Sequence, residues 1–236
     1  MLKTAVIIAG GEGSRLAPLT VDRPKTLVEV NGKPILYWVL RWLKKGGIKN
    51  VVIGVAYKKD KIFDYMNANQ NFGFNVKFSE HTLEGGTAQA FKLAITRHVK
   101  DDDFLAMNAD ELTNLDISKL YQTHREKEGT VATLSLAPFY SKFSVVTFDE
   151  DKTATGFTYG ARVKDVFVSD GIYIFSSKIL DYLPDTGSIE TAVFHKLAGT
   201  GKIRVHQMAD GEEWYSINTI KELKEVESMK PKWLMD

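Results

Sequence analysis

The chain has 236 residues, 44% hydrophobic and 26% charged, which suits one sizeable α/β domain rather than several. Its 31 Lys and Arg almost cancel 30 Asp and Glu, and a net charge of +1 gives no support to nucleic-acid or membrane-surface binding. There is no cysteine, which excludes disulfides, thiolate catalysis and sulfur-bound metals, and no apolar run approaches the roughly 18–20 residues that span a bilayer.

The N-terminal run through Gly11 is too short for a signal peptide, so a cytoplasmic location is expected. Lys3–Ile8 reads instead as a buried strand entering a loop at Gly10-Gly11. After a short strand-like piece, Leu27–Val30, Pro34 opens a helix whose Ile35, Trp38, Val39, Trp42 and Leu43 make one apolar stripe. Lys44-Lys45 and Gly46-Gly47 suit its last turn and end. Val51–Val55 follows as a strand, Lys59–Asn67 as a helix, and Asn75–Phe78 as an extended piece. Thr87–Val99 is a helix with Ala88, Phe91, Ala94 and Ile95 inward, and Phe104–Met107 a strand that runs into Asn108-Ala109-Asp110. A helix begins near Ile117. Strands are then expected at Thr130–Leu136, Val145–Phe148, Val168–Phe175 and Lys202–His206, with helices near Glu190–Leu197 and Thr219–Glu227. The early alternation predicts a Rossmann-like, doubly wound α/β fold with a mixed, mainly parallel sheet, and the later strands an insertion or lid. One domain is expected over 1–236. Its alternating part is 1–136, and 137–236 is richer in strands.

Gly10-Gly11-Glu12-Gly13-Ser14-Arg15 leaves a strand at the end where ligands sit in an open parallel sheet. Glycines let backbone N–H groups approach a phosphate, and Arg15 offers a fork-shaped cation. Taken alone, the six residues fit a plain glycine-rich turn nearly as well. A P-loop pattern is absent, and Leu16 stands where a dinucleotide fingerprint needs a small residue, so an oxidoreductase reading fails.

The stretch continues as AGGEGSRLAPLTVDRPKTLVEVNGKPIL, which resembles the signature of sugar-nucleotide pyrophosphorylases, written GGxGxRLxPLTxxxPKxxxxVxxKP. That nucleotidyltransferase family includes mannose-1-phosphate guanylyltransferase and glucose-1-phosphate thymidylyltransferase. Glu84–Ala90 is similar to its LGTAGA segment, Asn108-Ala109-Asp110 to N-G-D, Gly171–Phe175 to A-G-I-Y-x-F, Ser188–Phe194 to S-x-E-x-x-V-F, and Trp214–Leu223 to W-x-D-I-G-T-x-E-D-L. The resemblance covers nearly the whole chain; it implies that 1–136 mainly binds nucleotide and 137–236 forms the sugar-phosphate side, and a short member without an added C-terminal repeat domain is expected.

The resemblance implies a GT-A-like fold and transfer of a nucleotidyl group from a nucleoside triphosphate to a sugar 1-phosphate. It implies Mg²⁺ as cofactor and leans towards a mannose-1-phosphate guanylyltransferase-like activity. Arg15, Lys25 and Asp110 would be catalytic, and Gly10, Gly11, Gly13, Ser14, His81, Gly86 and Thr87 would bind nucleotide. Asn108, Gly171, Glu190 and Arg162 would face the sugar phosphate, and Asp110 with Asn218 would meet the metal.

Three departures stand out. Ser216 occupies the place of a second metal aspartate, and Asn218, two residues on, reads either as a weak neutral ligand or, by a slight preference, as a cap for the last helix. The family's F-x-E-K-P lysine is missing from Phe157–Ala161, leaving Arg162 or Lys164 as substitutes. His81 stands where pyrimidine users commonly carry glutamine. These losses keep two other readings open: a non-hexose phosphorylated acceptor, or an inactive nucleotide-sugar-binding regulatory module.

Of the remaining polar groups, Asp101-Asp102-Asp103 reads as a solvated turn, and Glu111 and Asp116 as loop or cap residues. His98, His124, His195 and His206 read as surface or helix-end residues, and Trp38 and Trp42 as core. Tyr65 and Trp233, taken as exposed aromatics, leave a homo-oligomer open.

Overall fold

A computed structural model describes residues 2–235. Its first half runs β1 (Thr4–Ile8), β2 (Glu29–Val30), β3 (Lys33–Pro34), α1 (Ile35–Lys45), β4 (Asn50–Val55), α2 (Lys59–Ala68), β5 (Asn75–Glu80), α3 (Gly86–His98), β6 (Asp103–Asn108), β7 (Glu111–Thr113) and α4 (Ile117–Arg125). Then come β8 (Ala132–Tyr140), β9 (Ser144–Phe148), β10 (Ala154–Tyr159) and β11 (Arg162–Ser176). A π-helical turn, Glu190–Phe194, leads into α5 (His195–Leu197), followed by β12 (Ile203–Gln207), β13 (Trp214–Ser216) and α6 (Ile220–Met229).

Seven strands form one sheet in the order β12-β8-β11-β6-β1-β4-β5. Only β11, among the described strands of this sheet, runs against its neighbours. The expected mixed, mainly parallel architecture is therefore observed. Period-two alternation feeds two cores. Ala5 and Ile7 join the apolar faces of α1, α2 and α4, while Val6 turns to Ala88, Phe91, Ala94 and Ile95 of α3. The indoles of Trp38 and Trp42 are buried but satisfied, donating to Val30 O at 2.9 Å and Leu115 O at 2.8 Å. From β1 the chain winds outwards through β4 to β5 and then returns to place β6 on the other side. That reversal opens a crevice at the carboxyl ends of β1 and β6, where such sheets bind ligands.

Several local expectations change. The Glu190–Leu197 helix opens as a π-turn. Val145–Phe148 finds a partner in β10, and the pair forms a hairpin outside the main sheet. The aspartate run is not a solvated turn, because Asp101 accepts from Thr4 and Asp103 accepts from Tyr121 and Arg125, each at 3.2 Å. His124 is buried, since α4 lays it over β8 with Nδ1 2.9 Å from Thr133 Oγ1. Burial lowers its pKa, against the raising pull of Asp103. Tyr65 and Trp233 are half-buried rather than exposed, and Trp233 stacks on Tyr215 with ring centres 6.1 Å apart. No helix among the described residues is long and apolar enough to cross a membrane.

Candidate active site

The glycine loop starts where β1 ends. Gly13 sits at φ +66°, a left-handed conformation costly for residues with a Cβ, and a Cβ there would fall 2.7 Å from Lys25 Cβ. Thr20 Oγ1 donates to Gly13 O at 3.1 Å, and the fully buried Leu16 anchors the turn that follows. Open space lies beside Gly11. Among the described residues, the N–H groups of Gly11, Glu12 and Gly13 meet no acceptor. An unfilled row of donors of this kind can receive anionic oxygens.

Across the crevice, residues far apart in sequence converge. Lys25 is buried, and its Nζ donates to Asp110 and, at 2.9 Å, to Asn218 Oδ1. Arg15 Nη2 donates to the same amide oxygen at 3.0 Å. Asp110 follows β6 in a loop held by Ala109 N to Ile8 O at 2.9 Å and Ile217 N to Asp110 O at 3.2 Å. The pocket has a volume of about 330 Å³, and Gly11, Gly13, Ser14, Thr87 and Asn108 also line it.

Asn218 is not the helix cap. Thr219 caps α6, accepting from Glu222 N at 3.2 Å, and Glu222 in turn accepts from Asn218 N at 3.0 Å. With the cap supplied by Thr219, the Asn218 side chain is left for the pocket. Pairing of β13 with β7 brings that segment beside Asp110. Asn218 Nδ2 donates to Ser216 Oγ at 2.6 Å, Ser216 Oγ donates to Glu111 Oε1 at 3.2 Å, and Trp214 Nε1 donates to Glu111 Oε2 at 2.7 Å. The relay fixes which end of the Asn218 amide faces Arg15 and Lys25. Glu111 is thus the buried root of the site rather than a loop or cap residue. Burial first, and then the neighbouring Asp110 charge, raise its pKa well above the usual carboxylate range.

The other candidates sit around this centre in different ways. Thr87 Oγ1 accepts from Ile189 N at 2.8 Å, tying the α3 start to the Ser188–Glu190 segment. Gly86, at φ +66°, lies so close to Gly187 that a Cβ would approach its carbonyl oxygen to 2.5 Å. His81 packs its ring against Gly10, whose Cβ would be 2.3 Å from Nε2, and burial lowers the imidazole pKa. Asn108 lies beside Gly171, while Glu190 is exposed and accepts from Ser188. Arg162 is not brought to the pocket. It pairs with Tyr140 at the far end of β11, over the Phe167 ring at 5.7 Å.

Sequence reasoning missed two neighbours. Thr26 lines the pocket with a buried hydroxyl that has no partner among the described residues. Asp170, fully buried next to Gly171, accepts from Ser135 Oγ at 2.6 Å and Ile172 N at 3.0 Å, and burial raises its pKa to about 7. The single charge within the expected strand Val168–Phe175 was the available signal for Asp170. Nothing in the sequence singled out Thr26.

A family model described as nucleotidyl transferase matches residues 4–231. The chain is 34% identical over 203 residues to the mannose-1-phosphate guanylyltransferase catalytic subunit beta of Drosophila pseudoobscura pseudoobscura, covering 82% of this chain and 54% of that one. It therefore spans about half the length of that relative. A probable glucose-1-phosphate cytidylyltransferase of Bacillus subtilis (strain 168) is 28% identical over 251 residues, covering 95% of each chain. Among solved structures, HddC from Yersinia pseudotuberculosis complexed with GMP-PN shares the fold, with a TM-score of 0.75 and 23% identity over 97% of this chain and 99% of that one.

Proposed function

The chain belongs to the nucleotidyl transferase family, and on that premise we propose that it joins a nucleoside triphosphate to a sugar 1-phosphate, releasing pyrophosphate. The observation that carries the reading is the convergence of Arg15, Lys25, Asp110 and Asn218 beside the open N–H groups of the glycine loop. A sugar-phosphate oxygen attacks the α-phosphorus. The new P–O bond forms as the bond to the bridging oxygen breaks, and that oxygen leaves with the electron pair as pyrophosphate. Both reactants are anionic, so alignment and charge compensation dominate over acid–base work. Loop N–H groups and Arg15 would hold the triphosphate, and Lys25 would reach the phosphate under attack. Intact Arg15, Lys25 and Asp110 speak against an inactive binding module.

The pocket donors facing Lys25 are oxygens, the Asp110 carboxylate and the Asn218 amide. Such a set suits Mg²⁺, which takes one or two carboxylates together with phosphate oxygens and water. Asp110 and Asn218 would hold it, and the ion would neutralise charge on the phosphates. Among the described residues no three His, Cys, Asp or Glu side chains converge, so the nucleotide itself would supply much of the coordination. The base would lie towards His81 and Gly86, and a guanine nucleotide with a mannose-type acceptor is the preferred pair. A matrix of triphosphates against sugar 1-phosphates, read by pyrophosphate release with Mg²⁺, tests the proposal. Absence of release across the whole matrix would sink it.

A further inference from the structure

Exposed apolar surface gathers on the hairpin β9–β10. Phe143, Phe157 and Tyr159 are 80%, 74% and 76% exposed, and Phe148 is 59% exposed. Neither strand of the hairpin joins the main sheet. Phe157 stands opposite Val146, and Tyr159 opposite Ser144. With side chains alternating between faces, Val146, Phe148, Phe157 and Tyr159 share one face, and Thr147 and Thr158 lie on the reverse. A lone two-stranded hairpin is marginal in water, and a contiguous aromatic face of this kind marks an interaction surface.

Charge is distributed along the hairpin unevenly. The turn at its tip holds Asp149, Glu150 and Asp151 with Lys152, which sits over the Phe148 ring at 5.1 Å. The root carries Lys142, Arg162 and Lys164 with Asp165. Lys142 is 85% exposed and 3.6 Å from Glu222. We infer that this aromatic face is a homodimer interface, formed by two hairpins packed face to face about a two-fold axis perpendicular to the strands. That arrangement sets the acidic tip of one copy against the basic root of the other, so the surface is complementary to itself in this one orientation. At about 200 Å² per large aromatic side chain, Phe148, Phe157 and Tyr159 present roughly 400 Å² per copy, to which Val146 adds. Half-exposed Tyr140 and Val166 at the root carry the area towards the ~800 Å² per partner of a standard stable interface.

Sedimentation velocity on the full chain, over a concentration series, should give twice the chain mass. Phe148→Lys combined with Phe157→Lys should weaken association by about 100-fold or more and yield monomer with unchanged far-UV circular dichroism. Charge reversal provides the second arm. Asp149→Lys/Asp151→Lys and Lys142→Glu/Lys164→Glu should each be monomeric alone and form a heterodimer when mixed. If the lysine double variant loses its native dichroism, the charge-reversal pair decides. A monomeric wild-type chain would overturn the inference, as would a dimer that survives in natively folded Phe148→Lys/Phe157→Lys. Charge-reversed proteins that remain dimeric alone would overturn the tip-to-root orientation.

Discussion

Lys25→Met removes the ammonium joining Asp110 to Asn218 while keeping most of the aliphatic stem. Two separable losses are expected. The pair is shielded but not dry, with side-chain exposures of 10% for Lys25 and 22% for Asp110. Breaking a fully buried pair costs about 3–5 kcal/mol, and water reaching Asp110 brings this to about 1–2 kcal/mol. For a domain of this size that lowers Tm by roughly 3–6 °C. In turnover, Lys25 is assigned to charge on the phosphate under attack, and loss of one such donor slows kcat by about 10²–10³-fold. The acceptor KM should move far less, because the missing interaction belongs to the transition state. Pyrophosphate release at saturating substrates and thermal denaturation of the empty protein measure the two losses separately. A lower Tm with kcat unchanged within about threefold would make Lys25 a structural brace and refute its part in the reaction.

Asp110→Asn should shift the Mg²⁺ titration of activity to higher concentration and weaken Mg²⁺-dependent nucleotide binding in calorimetry; an unchanged titration would remove Asp110 from the metal. Gly86→Ala places a Cβ at φ +66° against the Gly187 carbonyl, so it should destabilise the fold by about 1–3 kcal/mol and weaken nucleotide binding. A Tm equal to wild type would contradict the crowding there. Asp170, with its pKa raised to about 7, binds its proton more tightly when folded than when unfolded, so its stabilisation is full below about pH 4 and is lost as pH rises through 7. That swing reaches up to about 4 kcal/mol, so Asp170→Asn should raise Tm relative to wild type much more at pH 8 than at pH 5; a pH-independent difference would show that the carboxyl is already ionised.

What could be read in advance was whatever repeats locally. The stripe of α1, the inward residues of α3 and the strand runs each carry a period that burial enforces, and the glycine loop carries backbone requirements in single residues. Long-range pairing leaves no such trace. The sequence around Asn218 looks like a helix start, and indeed one begins at the next residue, so the capping reading was shifted by one position. The Asn218 side chain faces Lys25 because β13 pairs with β7, a contact between segments about 100 residues apart. Glu111 was unreadable for the same reason, since its partners Trp214 and Ser216 arrive with that strand. The exposure of β9 and β10 was hidden as well. Alternating aromatic and threonine residues describe a strand with one covered face, and sequence does not say what covers it.

The substitution at 216 and the amide at 218 acquire a joint meaning through charge. The pocket sets two fixed cations, Arg15 and Lys25, against one accessible carboxylate, Asp110. Glu111, the other nearby acid, is buried, turned to Trp214 and Ser216, and its ionised form is disfavoured by desolvation. A carboxylate in place of Asn218 would balance the two cations and compete with incoming phosphates for them. The amide oxygen instead orients both cations without neutralising them. The side chains of the site therefore carry a positive excess beside the glycine loop, where the N–H groups also lack acceptors among the described residues. A polyanion entering the crevice gains both at once, which is what the proposed triphosphate role asks of this side of the pocket.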